Sequence, residues 1–303
     1  MIVQGAFNLL FRPGLRADFR DEYLQYVPEY PLFLKTTTTD LPETSATIIT
    51  GLSRMLERAD GEPVSYEDPR MGPKVVILDK EYALGFMISK RTVEDDQYGK
   101  ANQAAKWLAH AARMTSEYRG AGFLDDAFTG TYYKGIDGLS LCNTAHTVIN
   151  SSKTFANTPT APIGFSIAGV TALLDLAQQA IDQNGDPIVV NIDTIVIGNN
   201  AGDYQRALQI FNSDHEPFTT ENQINAIQMR LPKPRLVISH FKQSFKSYFM
   251  IDSRLNDAMY IVRRPIDFSD TFDFDTDAAK FKATMRFAIG HVDPIGWFGS
   301  NPT

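Results

Sequence analysis

The sequence predicts an α+β fold in which one long helix separates an extended N-terminal part from a mixed α/β unit. Three observations carry this expectation. Within residues 92–119, Tyr98, Ala101, Ala105, Leu108 and Ala112 keep the spacing of one helical face, and Trp107, Ala111, Met114 and Tyr118 widen it. Near the C-terminus Phe272 and Phe274 alternate with Asp273 and Asp275, and Phe281, Ala283, Met285, Phe287 and Ile289 alternate with Lys280, Lys282, Thr284 and Arg286. That is the period of half-buried strands. Between these regions, residues 165–262 hold helical and strand patterns in turn.

Residues 1–44 read as an arm rather than a long helix. Pro13, Pro28, Pro31 and Pro42 interrupt it, and Thr36–Thr39 is an extended β-branched run. Its aromatic residues, Phe7, Phe11, Phe19, Tyr23, Tyr26, Tyr30 and Phe33, cannot remain in water, so the arm must lie on its own subunit or on a neighbour.

Residues 45–91 read as a long hairpin. Ala46–Thr50 and Val75–Leu78 are strand-like, and Tyr82, Leu84, Phe86 and Ile88 alternate as a further strand. The segment from Arg54 to Lys74 differs in character. It carries Arg54, Glu57, Arg58, Asp60, Glu62, Glu67, Asp68, Arg70 and Lys74, with Asp60-Gly61 as a turn and Pro63, Pro69 and Pro73 as breakers. So few apolar residues cannot bury it, and it is expected to protrude.

The helix over 92–119 is expected to start at a capping box of Thr92 and Asp95 and to close at Gly120 and Gly122. A loop-rich stretch follows to about residue 165. Ser166 then caps a helix whose buried face is Ile167, Val170, Leu174, Ala177 and Ile181, ended by Asn184-Gly185. Thr194–Ile197 reads as a buried strand, and Tyr204, Ala207, Leu208 and Phe211 mark a short helix. Leu236–Ser239, Tyr248–Asp252 and Met259–Arg263 read as strands. For the C-terminal pair, a turn between Asp277 and Ala278 would set Asp275 opposite Lys280, Asp273 opposite Lys282 and Phe274 opposite Phe281.

Composition narrows the function. The 303 residues carry 29 Lys+Arg and 36 Asp+Glu, a formal charge of −7, which disfavours a protein that grips phosphates with a basic face. Cys142 is the single cysteine, so neither an intrachain disulfide nor a multi-cysteine zinc cage can form. Met1–Leu10 lacks the basic start of a secretory signal, and no run of about 18 apolar residues suggests a membrane span.

Candidate chemistry is sparse. Cys142 and His146 lie four apart and could form a thiolate–imidazolium pair of a hydrolase, but their setting reads as loop and a small buried cysteine is the plainer outcome. The five histidines never fall into a zinc-binding spacing. Gly198-Asn199-Asn200-Ala201-Gly202 stands where phosphates often bind but lacks the lysine of a P-loop, and a tight turn explains it. Asp267, Asp270, Asp273, Asp275 and Asp277 could suggest calcium; alternation with phenylalanine favours a solvated strand face. No catalytic, cofactor or metal site is expected.

The order of elements, arm, charged hairpin, long helix, α/β unit and returning strand pair, resembles the major capsid proteins of tailed bacteriophages with the Hong Kong 97-type fold. Asp137-Gly138-Leu139-Ser140-Leu141 followed by Asn143-Thr144-Ala145-His146 is similar to a segment of the Mu-like head-subunit branch. So are Asp193–Gly198 leading to Tyr204–Ile210, although Asn199-Asn200 replaces a frequent proline pair, and the ending His291–Gly299. The resemblance implies an N-terminal arm (1–44), an extended-loop hairpin (45–91), a spine helix with peripheral domain (92–164), an axial domain (165–262) and a returning peripheral strand pair with the C-terminus (263–303). It implies a non-enzymatic subunit of an icosahedral head around double-stranded DNA, found in the virion and assembled in the bacterial cytoplasm. Its partners would be copies of itself in hexamers and pentamers, with separate scaffolding and portal proteins and decoration proteins where present. No membrane is implied. Assembly contacts would fall on the loop (Arg54, Glu57, Arg58, Glu62, Glu67, Asp68 and Arg70) and on the arm (Phe7, Phe11, Phe19, Tyr23 and Tyr26). An encapsulin-like compartment shell would share the architecture.

Overall fold

Two four-stranded sheets and a long helix organise the computed structural model, which describes residues 4–41, 43–55, 57–89, 98–217, 223–231, 233–273 and 278–302, with side chains from 14 onward and, in the long helix, from 102. The capping box at Thr92 and Asp95, the side chains of Phe7 and Phe11, and the positions of Phe274, Asp275 and Asp277 lie outside these residues.

The arm contains helix α1 (Gln4–Leu24), contrary to the expectation from its prolines. Pro13 removes one hydrogen bond, but the chain after it is free of proline as far as Val27. There Leu15, Phe19 and Tyr23 recur every four residues on one face. Leu15 and Phe19 are buried against Ala105, Leu108 and Ala109 of the long helix and Phe268, Phe281 and Ala283 of a sheet, and the Phe19 and Phe268 rings stand 4.9 Å apart. Burial of two large side chains outweighs one lost hydrogen bond. A 3-10 turn (Tyr30–Leu32) and strand β1 (Lys35–Thr38) complete the arm.

Strands β2 (Glu43–Ile49) and β3 (Met71–Leu78) pair antiparallel as a separate ribbon, with Thr47 opposite Lys74. The unpaired loop is therefore residues 50–70, set four residues earlier than the Arg54–Lys74 segment, and Lys74 belongs to a strand where it faces Glu43 across 3.8 Å. Strand β4 (Lys80–Ser89) follows at once but joins a different sheet.

Helix α2 (Tyr98–Asp126) runs past Gly120 and Gly122 instead of ending there, about 44 Å in all at 1.5 Å per residue. Gly120 serves a close approach: a Cβ on it would stand 2.6 Å from the Cβ of Tyr30. Asp126 ends the helix by accepting the N–H groups of Thr131, Tyr132 and Tyr133, each at 2.8 Å.

The first sheet has the order β1-β10-β11-β4, built with β10 (Met259–Asp273) and β11 (Ala278–Gly290). Its register corrects the charge ladder expected from the sequence. Asp273 stands opposite Ala278, Thr271 opposite Lys280 and Ser269 opposite Lys282. Asp273 instead forms a diagonal ion pair with Lys280. The physical reason is aromatic packing. Phe281 sits opposite Phe86, ring centroids 5.0 Å apart, and stacks on Phe268 at 6.0 Å. Two buried rings stacked with a half-buried third outweigh exposed cross-strand charges, which contribute only about 0.2–1 kcal/mol each.

After two short strands, β5 (His146–Thr147) and β6 (Thr154–Phe155), the second unit follows the sequence pattern except that its first helix stops at Gln178, before Ile181, which bridges to Pro187. Ser166 caps α3 (Ile167–Gln178) by accepting Gly169 N–H at 3.2 Å. Strand β7 (Thr194–Gly198) is buried throughout, and Asn200 caps α4 (Ala201–Asn212), so Gly198–Gly202 is the tight turn expected. The buried face of α4 is Ala207, Ile210 and Phe211, while Tyr204 and Leu208 stay partly in water. A short helix α5 (Ala226–Arg230) leads to β8 (Arg235–Ser239) and β9 (Tyr248–Ile251); with β12 (Trp297–Ser300) they form the sheet β12-β9-β7-β8. Phe123, Leu124, Phe249, Tyr260, Phe287 and Trp297 form the core shared by α2 and both sheets. The Trp297 indole N–H donates to Asn256 Oδ1 at 2.8 Å.

Candidate functional site

The cysteine–histidine pair is not a catalytic unit. Cys142 is buried in the shared core, its sulfur beside Gly299, and burial pushes its thiol well above the ordinary range. Its backbone N–H donates to Ala127 O at 2.7 Å. Both ring nitrogens of the fully buried His146 are engaged elsewhere: Nδ1 lies 2.5 Å from Asp137 Oδ2 and Nε2 3.2 Å from Asn157 Oδ1. Asn157 is in turn a hub. It donates to Leu141 O at 2.7 Å, accepts Asn143 N–H at 2.7 Å, and its carbonyl accepts Gly299 N–H at 3.0 Å. These side chains knit the segment after α2 to the C-terminal strand. Among the described residues no group of His, Cys, Asp and Glu could hold a metal ion, and no helix is long and apolar enough to cross a membrane.

The most exposed feature is the loop at residues 50–70. Apart from its first residue, Thr50, every described residue in it faces water. Its charges are mostly spent locally or left in solvent. Glu67 accepts the N–H and hydroxyl of Ser53 at 2.9 and 2.8 Å, which holds its carboxyl below the ordinary range. Glu62 accepts Ala59 N–H at 3.3 Å across the Asp60-Gly61 turn. Glu57, Arg58 and Asp68 are exposed, as is the Arg70 side chain, although the Arg70 backbone closes the base of the loop by three bonds to Thr50. Arg54 alone among these charged residues reaches another part of the chain, pairing with Asp186. That cation holds the Asp186 carboxyl below the usual carboxylate range.

Among these charges stand apolar residues that the charge pattern does not single out. Met55 and Tyr66 are 101% and 94% exposed, and Leu52, Val64 and Met71 are also in water. The available signal was their placement: apolar side chains in a segment with nothing of its own to bury them mark a contact surface.

The arm divides into an inner and an outer part. Phe19 is buried and Tyr23 half-buried within their own subunit. Tyr26 is exposed on one side and carries the Arg113 guanidinium over its ring, 3.9 Å from the centroid. Leu24 and Val27 beside it are in water, Val27 at 87%.

A separate projecting hairpin, a long helix along the first sheet, and a second sheet with its own helices define the Hong Kong 97-type capsid fold. Solved structures bear out this fold. One from Microbacterium phage Oxtober96 is similar at TM-score 0.55 and 11% identity, covering 92% of each chain. The capsid of the cyanophage P-SCSP1u is similar at TM-score 0.55 and 14% identity, covering 88% of this chain and 85% of that one. A virus-like particle from Pyrococcus furiosus is similar at TM-score 0.51 and 10% identity, covering 96% and 99%. Among curated proteins no sequence matches. The family of phage capsid proteins matches residues 75–299, and this chain belongs to that family. It is a structural, major capsid protein, and its place is the capsid of the virion.

Proposed function

We propose that this chain is the repeating subunit of an icosahedral phage head that encloses double-stranded DNA and is built in the bacterial cytoplasm from hexamers and pentamers. It acts without catalysis or cofactor, and scaffolding, portal and any decoration proteins are separate chains. The observation that carries this reading is the loop of residues 50–70. It projects Met55, Val64 and Tyr66 into water beside Arg54, Glu57, Arg58, Glu62, Glu67, Asp68 and Arg70, a surface that only another molecule can cover. On the arm, Phe19 and Tyr23 anchor α1 to its own subunit, while Tyr26 with Leu24 and Val27 faces a neighbour. The net charge of −7 lets packaged DNA move without adhering.

Expression of the protein alone, followed by light scattering and negative-stain microscopy, tests this. Closed particles or capsomers are expected; a monomer that stays monomeric at high concentration overturns it. The likeness to the Pyrococcus furiosus virus-like particle supports a second reading, a protein compartment shell. Particles isolated from the native source separate the two, since a compartment holds a cargo enzyme and no portal or genome.

A further inference from the structure

The loop does not leave the subunit freely. At its root Thr50 Oγ1 accepts Asn150 Nδ2 at 2.9 Å, and the same amide donates to Asn184 Oδ1 at 2.8 Å. Asn184 Nδ2 donates to Leu52 O at 3.4 Å, and Gly51 makes room for it: a Cβ there would stand 3.3 Å from that nitrogen. Two residues further, Arg54 Nε donates to Asp186 Oδ1 at 3.0 Å. Leu52 and Arg54 thus meet one turn of the α/β unit directly, and Thr50 reaches the same turn through Asn150, all 100 or more residues away in sequence.

That turn is rigid. Asp182 Oδ1 accepts both Asn184 N–H and Asp186 N–H at 2.9 Å, and Gly185 adopts φ +84°. Lys153 Nζ donates to Gly185 O at 2.8 Å. Beyond Arg54 the described hydrogen bonds of the loop are local to it, such as Glu67 with Ser53 and Glu62 with Ala59.

We propose that the Thr50–Asn150–Asn184 relay and the Arg54–Asp186 ion pair form a bracket that sets the direction in which the loop leaves its subunit, so that residues 55–69 meet a second copy of this chain already oriented. This rests on the reading of the loop as an intersubunit element. Arg54 is 75% exposed and Asp186 30%, and an ion pair in that setting adds little to folding. It does remove freedom at the root of a loop, and a contact made by a pre-aimed segment loses less ordering entropy. An exposed pair is also adjustable, which suits a loop that must take slightly different angles at different shell positions.

The test compares Arg54→Ala, Asp186→Ala, the exchanged pair Arg54→Glu with Asp186→Arg, and a chain with residues 51–69 replaced by a short turn. Thermal unfolding reports the subunit, hydrogen exchange of residues 55–69 reports the loop, and light scattering with microscopy reports assembly. Each single variant should unfold within about 2 °C of the parent. Each should exchange faster over the loop and assemble roughly tenfold more slowly, or into aberrant particles. The exchanged pair should recover both properties. Parent-like assembly of the single variants, or no recovery in the exchanged pair, overturns the bracket. If the excised chain also assembles normally, the loop reading itself has failed; if only the excised chain fails to assemble, the bracket alone is wrong. Should Asp186→Ala unfold, Arg54→Ala, with its side chain in water, carries the same test.

Discussion

Excising the loop separates folding from assembly, and the structure allows the folding side to be worked out. Thr50 and Arg70 already close the ribbon: Thr50 N–H donates to Arg70 O at 2.9 Å and Arg70 N–H to Thr50 Oγ1 at 3.0 Å. Replacing Gly51–Pro69 with a four-residue Gly-containing turn therefore keeps both ends in place. Shortening nineteen residues to four spares about 1.4 kcal/mol of loop-closure entropy, from (3/2)RT ln(19/4). For a chain of 303 residues that amounts to a rise of about 2 °C in Tm. Against it stand only exposed contacts of the loop, so the expected result is a Tm equal to or slightly above that of the parent. Assembly should fail, because Met55, Val64 and Tyr66 leave with the loop. Differential scanning calorimetry of the soluble subunit and light scattering with microscopy read the two sides. A fall in Tm of more than about 5 °C would show that the loop belongs to the subunit's own fold. Normal closed particles from the excised chain would show that it makes no essential contact between subunits.

Phe19→Ala should cost about 3–5 kcal/mol, since it removes a buried ring from the interface of α1, α2 and the first sheet; urea titration reads the loss, and a change below about 1 kcal/mol would place the arm elsewhere. A double-mutant cycle on Asp273 and Lys280 should give a salt-sensitive coupling of about 0.2–1 kcal/mol, and the cycle on Asp273 and Lys282 should give none. Burial pushes His291 down to about 4, with Asp137 and Asp126 opposing that shift and His146 adding to it. The unfolded imidazole takes its proton near 6.5, so the neutral His291 contributes stability that is whole above that pH and is lost as pH falls toward 4, about 3 kcal/mol over the window. Asp293, pushed up to about 6 by burial, acts in the opposite sense. His291→Gln should flatten the acid side of a stability–pH curve, and an unchanged slope between pH 6.5 and 4 would refute the assignment.

Local pattern and tertiary contact divided this chain between them. Apolar spacing marked α2, α3 and β7, and the crowding of Glu57, Arg58, Glu62, Glu67 and Asp68 with three prolines marked the protruding loop, because these features act within a few residues. The order of the elements, with the phrases at residues 137–146, 193–210 and 291–299, pointed to the capsid fold. The arm was harder to read. Pro13 argued against a helix locally, and only Ala105, Ala109 and Phe268, distant in sequence, reward the helix that forms. Gly120 looked like a helix end and is a contact point for Tyr30.

The C-terminal register shows the same division at finer scale. Alternation determined which residues of β11 face inward, since period two is a property of the strand itself. Which residue of β10 each one faces was decided by Phe86, Phe268 and Phe281 packing together across three strands. The functional surface follows suit. From its residues alone the loop had to be exposed, because nothing within it can bury Met55 or Tyr66. Its anchorage at Asn150, Asn184 and Asp186 exists only once the α/β unit has folded and brought a distant turn to its root.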